Sequence, residues 1–189
     1  MKGKEALSNV GIGLVGGLIG KMLMQPVSNK LYRWEPEAVR QREIDVRPGL
    51  PADIAAEKIR QRLNLDLSQA QTQKLGRVLF YGAGMAWGPI YTLLRNANFH
   101  PLAAGLVTGA AMSAVVDEIM TPGLDLSAPN RAYPLLTHLR GFAAHLVYGL
   151  AVMATVEMIA GLGRTIARRA EPAEFTSLMG REEAAVSAT

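Results

Sequence analysis

Two adjacent carboxylates, Asp117 and Glu118, end an apolar run that begins at Ala111. A carboxylate next to a cation or an imidazole can hold an ion pair or exchange a proton near neutral pH. Such partners occur beside other apolar runs of this chain, because Lys21 directly follows the first one, His138 shortly precedes the last one and His145 lies within it. Whether these groups act together depends on the elements that carry them. The candidate residues are Lys21, Asp117, Glu118, His138, Arg140 and His145.

Charge is distributed unevenly along the 189 residues. A bilayer core about 30 Å thick needs about 20 mostly apolar residues per helix. Helices of a soluble bundle would instead show charge at every third or fourth position. The pattern therefore predicts an all-α integral membrane protein with four transmembrane helices. Charged side chains are absent from residues 6–20, 78–94, 96–116 and 141–156.

Local signals predict where the four helices begin. Ser8 is a good N-cap for the first helix, and Ser68 with Gln71 makes a capping box before the second. Pro101 and Pro134 suit the starts of the third and fourth helices. The first helix is expected to end near Pro26–Asn29. The predicted spans are about 9–28, 76–95, 101–120 and 139–162.

The segment 30–74 is too long and too polar for a tight connector, and we expect it to lie outside the membrane as a partly helical first loop. Its first part is rich in charge and proline, which predicts irregular structure. Pro51 then suits the first turn of a short helix that ends near Leu63. This helix is expected to lie on the bilayer surface, to pack over the bundle or to bind a partner. Residues 170–189 are polar and small, which predicts a disordered tail.

Three of the predicted spans carry pairs of glycines four residues apart. Small residues at this spacing allow two helix backbones to approach closely in lipid. Glycine is also common in membrane helices in general, but the repeated spacing favours close packing. The predicted helix-packing residues are Gly13, Gly17, Gly84, Gly88, Gly105 and Gly109.

Counting four spans puts both termini and the second loop on one side of the membrane. Basic residues near the termini favour a cytoplasmic N-terminus. An unpaired charge in hydrocarbon costs several kcal/mol, so we predict that Lys21 pairs with Asp117 or Glu118, with His145 facing the same interior. The alternative is that Asp117, Glu118, Arg77 and Arg140 meet water at the interface while Lys21 extends toward it.

The histidines do not predict a metal or haem site. His138 and His145 lie two helical turns apart, about 10.5 Å along a helix axis, which is too far to share one ion. His100 belongs to the opposite side of the membrane, so it cannot bind a haem together with His145. The acid on that opposite side, Glu157, has three candidate partners, which are Arg164, Arg95 and His100.

Several function classes lack their sequence signals. The chain has no cysteine, which excludes disulfides, thiolate metal sites and a cysteine nucleophile. The stretch GIGLVGG lacks the preceding strand of a dinucleotide site. The net charge of +4 comes without a basic stripe interleaved with aromatics, so no nucleic acid is expected. We predict a protein that is not an enzyme and needs no cofactor or metal, with a lipid bilayer and either a second copy or another membrane protein as partners.

Three stretches carry a resemblance to a known family: WGPIYTLLR, VVDEIMTPGL and YPLLTHLRGFAAHLVYGLA. In them the chain resembles the YagU-like family of small bacterial inner-membrane proteins, whose function is not defined. The resemblance covers about residues 8–169 and is weakest over 30–74. It implies a multi-pass protein of the bacterial inner membrane, and it supplies no established catalytic residues.

Two functions fit these residues. The first is a small non-enzymatic membrane protein that acts in envelope homeostasis or helps a complex assemble, using the glycine faces and the long first loop as contact surfaces. The alternative is a proton-linked or small-solute transporter or channel subunit. That alternative would use the Lys, Asp, Glu and His cluster inside the bundle.

Overall fold

The structure is a computed structural model that describes the backbone of residues 2–186 and the side chains of residues 7–165. Within the described residues the fold is entirely helical, as the sequence predicts. The elements are α1 (Lys2–Trp34), α2 (Glu37–Val46), α3 (Pro51–Arg62), α4 (Gln69–Asn96), α5 (Pro101–Met112), a π-helical segment (Ser113–Met120), α6 (Thr121–Gly123), a 3₁₀ turn (Asn130–Ala132) and α7 (Leu135–Val186).

Three helical stretches are long enough and apolar enough to cross a bilayer: Leu7–Trp34, Pro101–Gly123 and Leu135–Thr165. At most 33% of the apolar window in each stretch is buried within the chain. Most of their apolar side chains therefore face outward, where water would be an unfavourable neighbour. Helix α4 has 28 residues, which is long enough for a span, but it is less apolar than the other three.

Helix α1 packs against α4 through glycines. A β-carbon added to Gly13 would lie 2.7 Å from the Cα of Pro89. One added to Gly17 would overlap the carbonyl oxygen of Gly84, and one added to Gly88 would overlap that of Gly13. The earlier glycine of α1 meets the later part of α4, so the two helices are antiparallel. Backbone contact of this kind is possible only where side chains are absent.

Helix α5 packs against α7 in the same manner. A β-carbon on Gly109 would overlap the carbonyl oxygen of His145, and one on Gly149 would overlap that of Gly105. These contacts again require antiparallel helices. Helix α7 also lies against α1, and α4 lies against α5. Each long helix therefore has two neighbours in an up-and-down arrangement.

The segment between α1 and α4 folds back onto one end of this bundle. Helix α3 lies against α4, and Lys58 of α3 donates a hydrogen bond of 2.8 Å to the carbonyl oxygen of Leu124. We call this end, which holds α2, α3 and the loop 121–134, the cap end. We call the other end, which holds the turn 97–100, the opposite end.

Four boundaries differ from the sequence prediction. Helix α1 begins at Lys2, before the N-cap predicted at Ser8. Helix α1 continues through Pro26 to Trp34, because a proline removes one hydrogen bond but need not end a helix that packs on two neighbours. The stretch predicted to be irregular contains α2. The third span is α-helical only to Met112 and then becomes π-helical as far as Met120.

Other local predictions are confirmed. The short helix predicted from Pro51 is α3, and Ser68 with Gln71 forms the capping box at the start of α4.

The tail that was predicted to be disordered, 170–189, lies outside the residues whose side chains the structure describes. The backbone of α7 is helical as far as Val186.

The glycine contacts give a test within one helix. We expect Gly88→Ala to destabilise the protein by about 1–3 kcal/mol, because the new methyl group would enter the backbone of α1. Gly82 is the matched control, since nothing lies within 4 Å of a β-carbon added there, and Gly82→Ala should be neutral or stabilise by about 0.5–1 kcal/mol. Thermal unfolding in detergent measures both changes. Equal effects of the two substitutions would refute the close approach of α1 and α4.

Candidate functional site

The two adjacent carboxylates lie on the π-helical segment, Ser113–Met120. Its last hydrogen bond is of the i→i+5 type, because the backbone N–H of Thr121 donates to the carbonyl oxygen of Val116. The hydroxyl of Thr121 donates to the same oxygen, at 2.7 Å. Short π-helical turns are frequent at functional sites. Here the turn carries Asp117 and Glu118, and each contacts a different histidine of α7.

Asp117 and His145 form an inner pair. The Nδ1 atom of His145 lies 3.1 Å from Oδ2 of Asp117 and 2.9 Å from the carbonyl oxygen of Gly141. The imidazole is buried, with 4% of its side chain exposed, whereas 38% of the Asp117 side chain is exposed. The other ring nitrogen, Nε2, is buried and has no hydrogen-bond partner among the described residues.

Lys21 is buried on α1 beside this pair, but the predicted ion pair with Asp117 or Glu118 is not formed. Within residues 7–165, no carboxylate oxygen lies within 4 Å of its ammonium group. The Nζ atom instead lies 4.1 Å from the ring centre of Phe80, a cation–π contact. The glycine contact between α1 and α4 explains this, because it places the stem of Lys21 against Gly84 and directs its end toward Phe80.

Glu118 and His138 form an outer pair at the cap end. Oε1 of Glu118 lies 2.7 Å from Nδ1 of His138, and the amide of Asn130 donates to the other carboxylate oxygen at 2.8 Å. The second ring nitrogen of His138 lies 3.1 Å from the carbonyl oxygen of Asn130. The side chains of the pair are 37% and 26% exposed. Glu118 and His138 thus belong to a partly hydrated layer, separate from the inner pair.

Arg140 belongs to a third group, which joins the cap to the bundle. Its two terminal nitrogens donate to Glu35 at 2.7 Å and to Glu43 of α2 at 2.8 Å. The side chains of Arg140, Glu35 and Glu43 are only 11%, 5% and 2% exposed. The guanidinium also lies 4.9 Å from the ring centre of Tyr32. We call this group the cap clamp.

The two acids of the cap clamp were missed by the sequence prediction. Both lie in the segment that was predicted to be extramembrane and irregular at its start. Only the helical geometry of α2 turns Glu43 toward α7 while Ile44, its neighbour in the chain, faces outward with 51% exposed. No spacing in the sequence alone identifies these acids as the partners of Arg140.

A separate polar group lies at the opposite end. Glu157 accepts hydrogen bonds from Arg95 at 2.6 Å and from the hydroxyl of Tyr91 at 2.8 Å. Arg95 is therefore the partner that Glu157 meets, out of the three proposed from the sequence. Arg95 also donates to the carbonyl oxygen of Phe99 in the following turn, which fixes that turn to the bundle.

The described residues contain no cluster of three or more His, Asp or Glu side chains arranged to hold a metal ion. A groove of ≈ 360 Å³ lies on the cap between α3 and α4. It contains Glu57, whose pKa is lowered to about 2 mainly by the hydrogen bond from Arg60. Because this pKa is depressed, the contribution of Glu57 to stability is complete above its ordinary pKa of 4.5 and is lost as the pH falls toward 2. The groove does not include the residues of the inner pair.

Searches of protein-family models, curated proteins and solved structures found no match to this chain. Function is therefore inferred from geometry. The six candidate residues divide into an inner pair with Lys21 beside it, an outer hydrated pair, and the arginine of the cap clamp. The glycine pairs lie at the two helix contacts that bring these groups together.

The cap clamp predicts a large effect of Arg140→Met. Removing the guanidinium would leave the buried carboxylate of Glu35 without a cation and that of Glu43 with Arg47 alone, 3.2 Å away, and breaking a buried pair in this way costs about 3–5 kcal/mol. Hydrogen exchange of α2, together with thermal unfolding in detergent, measures the loss. Arg60→Met is the matched control, because Arg60 pairs with Glu57 on the surface of α3 and its loss should have little effect. If α2 stays equally protected in both variants, Arg140 does not hold the cap.

Proposed function

We propose that this chain is a multi-pass protein of the bacterial inner membrane with four spans: α1, α4, α5 with its π-helical continuation, and α7. The exposed apolar faces of three of these helices support membrane insertion, because soluble monomeric proteins rarely expose large apolar patches. The bacterial inner membrane, and membership of the YagU-like family, are proposed from the resemblance described above.

The contact between the cap and the loop 121–134 supports α4 as the fourth span. Lys58, which precedes α4, donates to Leu124, which follows α5. The chain therefore returns after α5 to the end from which α4 starts. If α5 crosses the bilayer, α4 must cross it as well. The glycines of α4 lower its hydropathy, but they lie in the contact with α1 rather than toward lipid.

Cysteine accessibility tests this arrangement, and the chain has no native cysteine to remove. Four spans predict that Gly49→Cys and Asp125→Cys react with a membrane-impermeant thiol reagent from the same side, and that Asn98→Cys reacts from the other. If α4 does not cross, positions 49 and 98 will share a side and position 125 will lie across from them. Recovery of the protein in the supernatant of a detergent-free lysate would refute membrane insertion altogether.

The proposed role is non-enzymatic: the protein supports assembly of a membrane complex or envelope homeostasis. The observation that carries this proposal is that the cap is fixed to the bundle by buried ion pairs while presenting exposed apolar side chains. Ile44, Leu50 and Leu63 are 51%, 58% and 65% exposed. A surface that is already ordered loses less entropy on binding than a flexible loop. The cap is thus suited to contact another protein next to the membrane.

Purification in mild detergent from the native membrane, followed by native mass measurement, tests this role. We expect a complex that contains a second protein or a second copy of the chain. Ile44→Ser combined with Leu63→Ser should weaken that complex about tenfold or more, because two apolar contacts of this size are worth more than 1.4 kcal/mol. Leu7→Ser is the control, since Leu7 is also exposed but lies at the opposite end. A monomer in every sample would refute the assembly role.

The second candidate function is a proton-linked or small-solute transporter or channel subunit. It is favoured by one observation, which is that Lys21 and His145 are buried inside the bundle next to Asp117. Ionisable groups at such positions in membrane proteins commonly belong to ion or proton pathways. This candidate requires a polar path to both ends of the bundle.

A further inference from the structure

We infer that His145 and Asp117 form a proton-binding site inside the bundle that exchanges protons with water at the cap end alone. The inference rests on the proposed membrane placement, and it deepens the second candidate function by naming the ligand and its side of entry. It states that the bundle binds a proton but does not conduct one from end to end. Its basis is the geometry of one imidazole and of the polar groups at either end of the bundle.

The imidazole of His145 has one nitrogen that can accept a proton. Both atoms next to Nδ1, the carbonyl oxygen of Gly141 and Oδ2 of Asp117, are hydrogen-bond acceptors. Nδ1 of the neutral ring must therefore carry the hydrogen and donate it. That leaves the lone pair of Nε2 free, and Nε2 is buried without a partner among the described residues. Nε2 is thus the position at which the neutral ring can take up a proton.

Uptake of a proton at Nε2 forms one N–H bond and breaks none within the protein. The resulting imidazolium keeps the Nδ1–H hydrogen bond to the carbonyl oxygen of Gly141, and the charge of the pair rises from −1 to 0. The carboxylate of Asp117, 3.1 Å from Nδ1, favours the charged form of the ring. Return of the proton to water restores the neutral ring.

Every element that packs around this pair contributes to its electrostatic setting. Lys21 of α1 brings a positive charge, and Asp117 and Glu118 of the π-helical segment bring two carboxylates. His138 and Tyr148 of α7 bring a second imidazole and a phenol, and α4 presents the ring of Phe80 and the carbonyl oxygen of Gly84.

The more exposed polar groups next to the pair lie toward the cap end. Asp117 is the more exposed member, and the next residue, Glu118, belongs with His138 to the partly hydrated outer pair. His138 lies two turns before His145 on α7, about 10 Å along the axis. A proton therefore has ionisable groups at short intervals between the cap end and the buried ring.

The series of ionisable groups that begins at the cap end stops at His145. The hydroxyl of Tyr148 donates to the carbonyl oxygen of Gly84 at 2.6 Å, and the hydroxyls of Thr108 and Thr155 donate to carbonyl oxygens of their own helices. These three hydroxyl hydrogens are already donated, and the helix backbones meet at the glycines of the same region.

Among the described residues, the next ionisable group on α7 beyond this barrier is Glu157, which pairs with Arg95. Glu157 lies twelve residues after His145 on α7, about 18 Å along the axis. Such a distance is too long for direct proton transfer between the two groups. In this conformation the bundle thus binds a proton from one side and releases it to the same side.

Nuclear magnetic resonance of histidine ring nitrogens tests the site, because the chain has only three histidines. The labelled protein in detergent or nanodiscs is titrated over about pH 5–8, and His100→Gln and His138→Gln assign the signals. We expect the Nε2 signal of His145 to move from that of a free lone pair to that of a protonated nitrogen. Asp117→Asn should displace the midpoint by about one pH unit or more, whereas Glu157→Gln should leave it unchanged.

The same protein in liposomes with a pH-sensitive dye tests the closed end. We expect proton flux no faster than in empty liposomes. Flux that His145→Gln abolishes would overturn one-sided access and support the transporter. A His145 signal that stays constant in the folded wild-type protein, or that responds equally to Asp117→Asn and Glu157→Gln, would overturn the proton site. None of these results depends on the cysteine mapping, so failure of the membrane proposal is seen separately.

Discussion

Direct contact between helix backbones at glycines is the constraint on which the rest of this structure depends. Gly13 and Gly17 meet Gly84 and Gly88, and a second set joins α5 to α7. These contacts fix the depth of each helix against its neighbour to within a fraction of a turn. They therefore decide which polar side chains share a layer. The stem of Lys21 lies on Gly84 because no β-carbon keeps it away.

The polar side chains are arranged so that few buried charges lack a partner. In a medium that cannot solvate ions, each charge needs a counter-ion or a dipole nearby. The cap clamp satisfies this by placing one guanidinium between two carboxylates from different elements. Lys21 is the exception, because its ammonium group lies over the face of an aromatic ring and not beside a counter-ion. The inner pair next to it is thus the place where the interior charge is least completely balanced.

The helices and their order could be predicted from the sequence because periodicity and capping act locally. The capping box of Ser68, the start of α3 at Pro51 and the glycine spacing all depend on residues within two turns of each other. The depth of Asp117 and His145 could be predicted in the same way. What could not be predicted is the partner of each charge. Arg140 is held by Glu43, and that contact depends on a helix whose sequence suggested irregular structure.

The ion pair predicted for Lys21 was wrong for a related reason. Sequence spacing gives the face and the depth of a side chain, but it does not give the rotation of the neighbouring helix. The π-helical segment changes that rotation between Ser113 and Met120. Asp117 then meets His145, and Lys21 is left with Phe80. A change of helix type over two turns thus decides which of two plausible partners a carboxylate meets.

A π-helical turn holds one residue more than the α-helical turn it replaces. The segment can therefore be regarded as an α-helix that has accepted a single-residue insertion without losing its neighbours on either side. Loss of one residue there would restore regular α-helical winding and leave the flanking residues on their present faces. Only the residues within the segment, Asp117 and Glu118 among them, would change their facing. The length of this short stretch thus keeps the two acids in register with the two histidines.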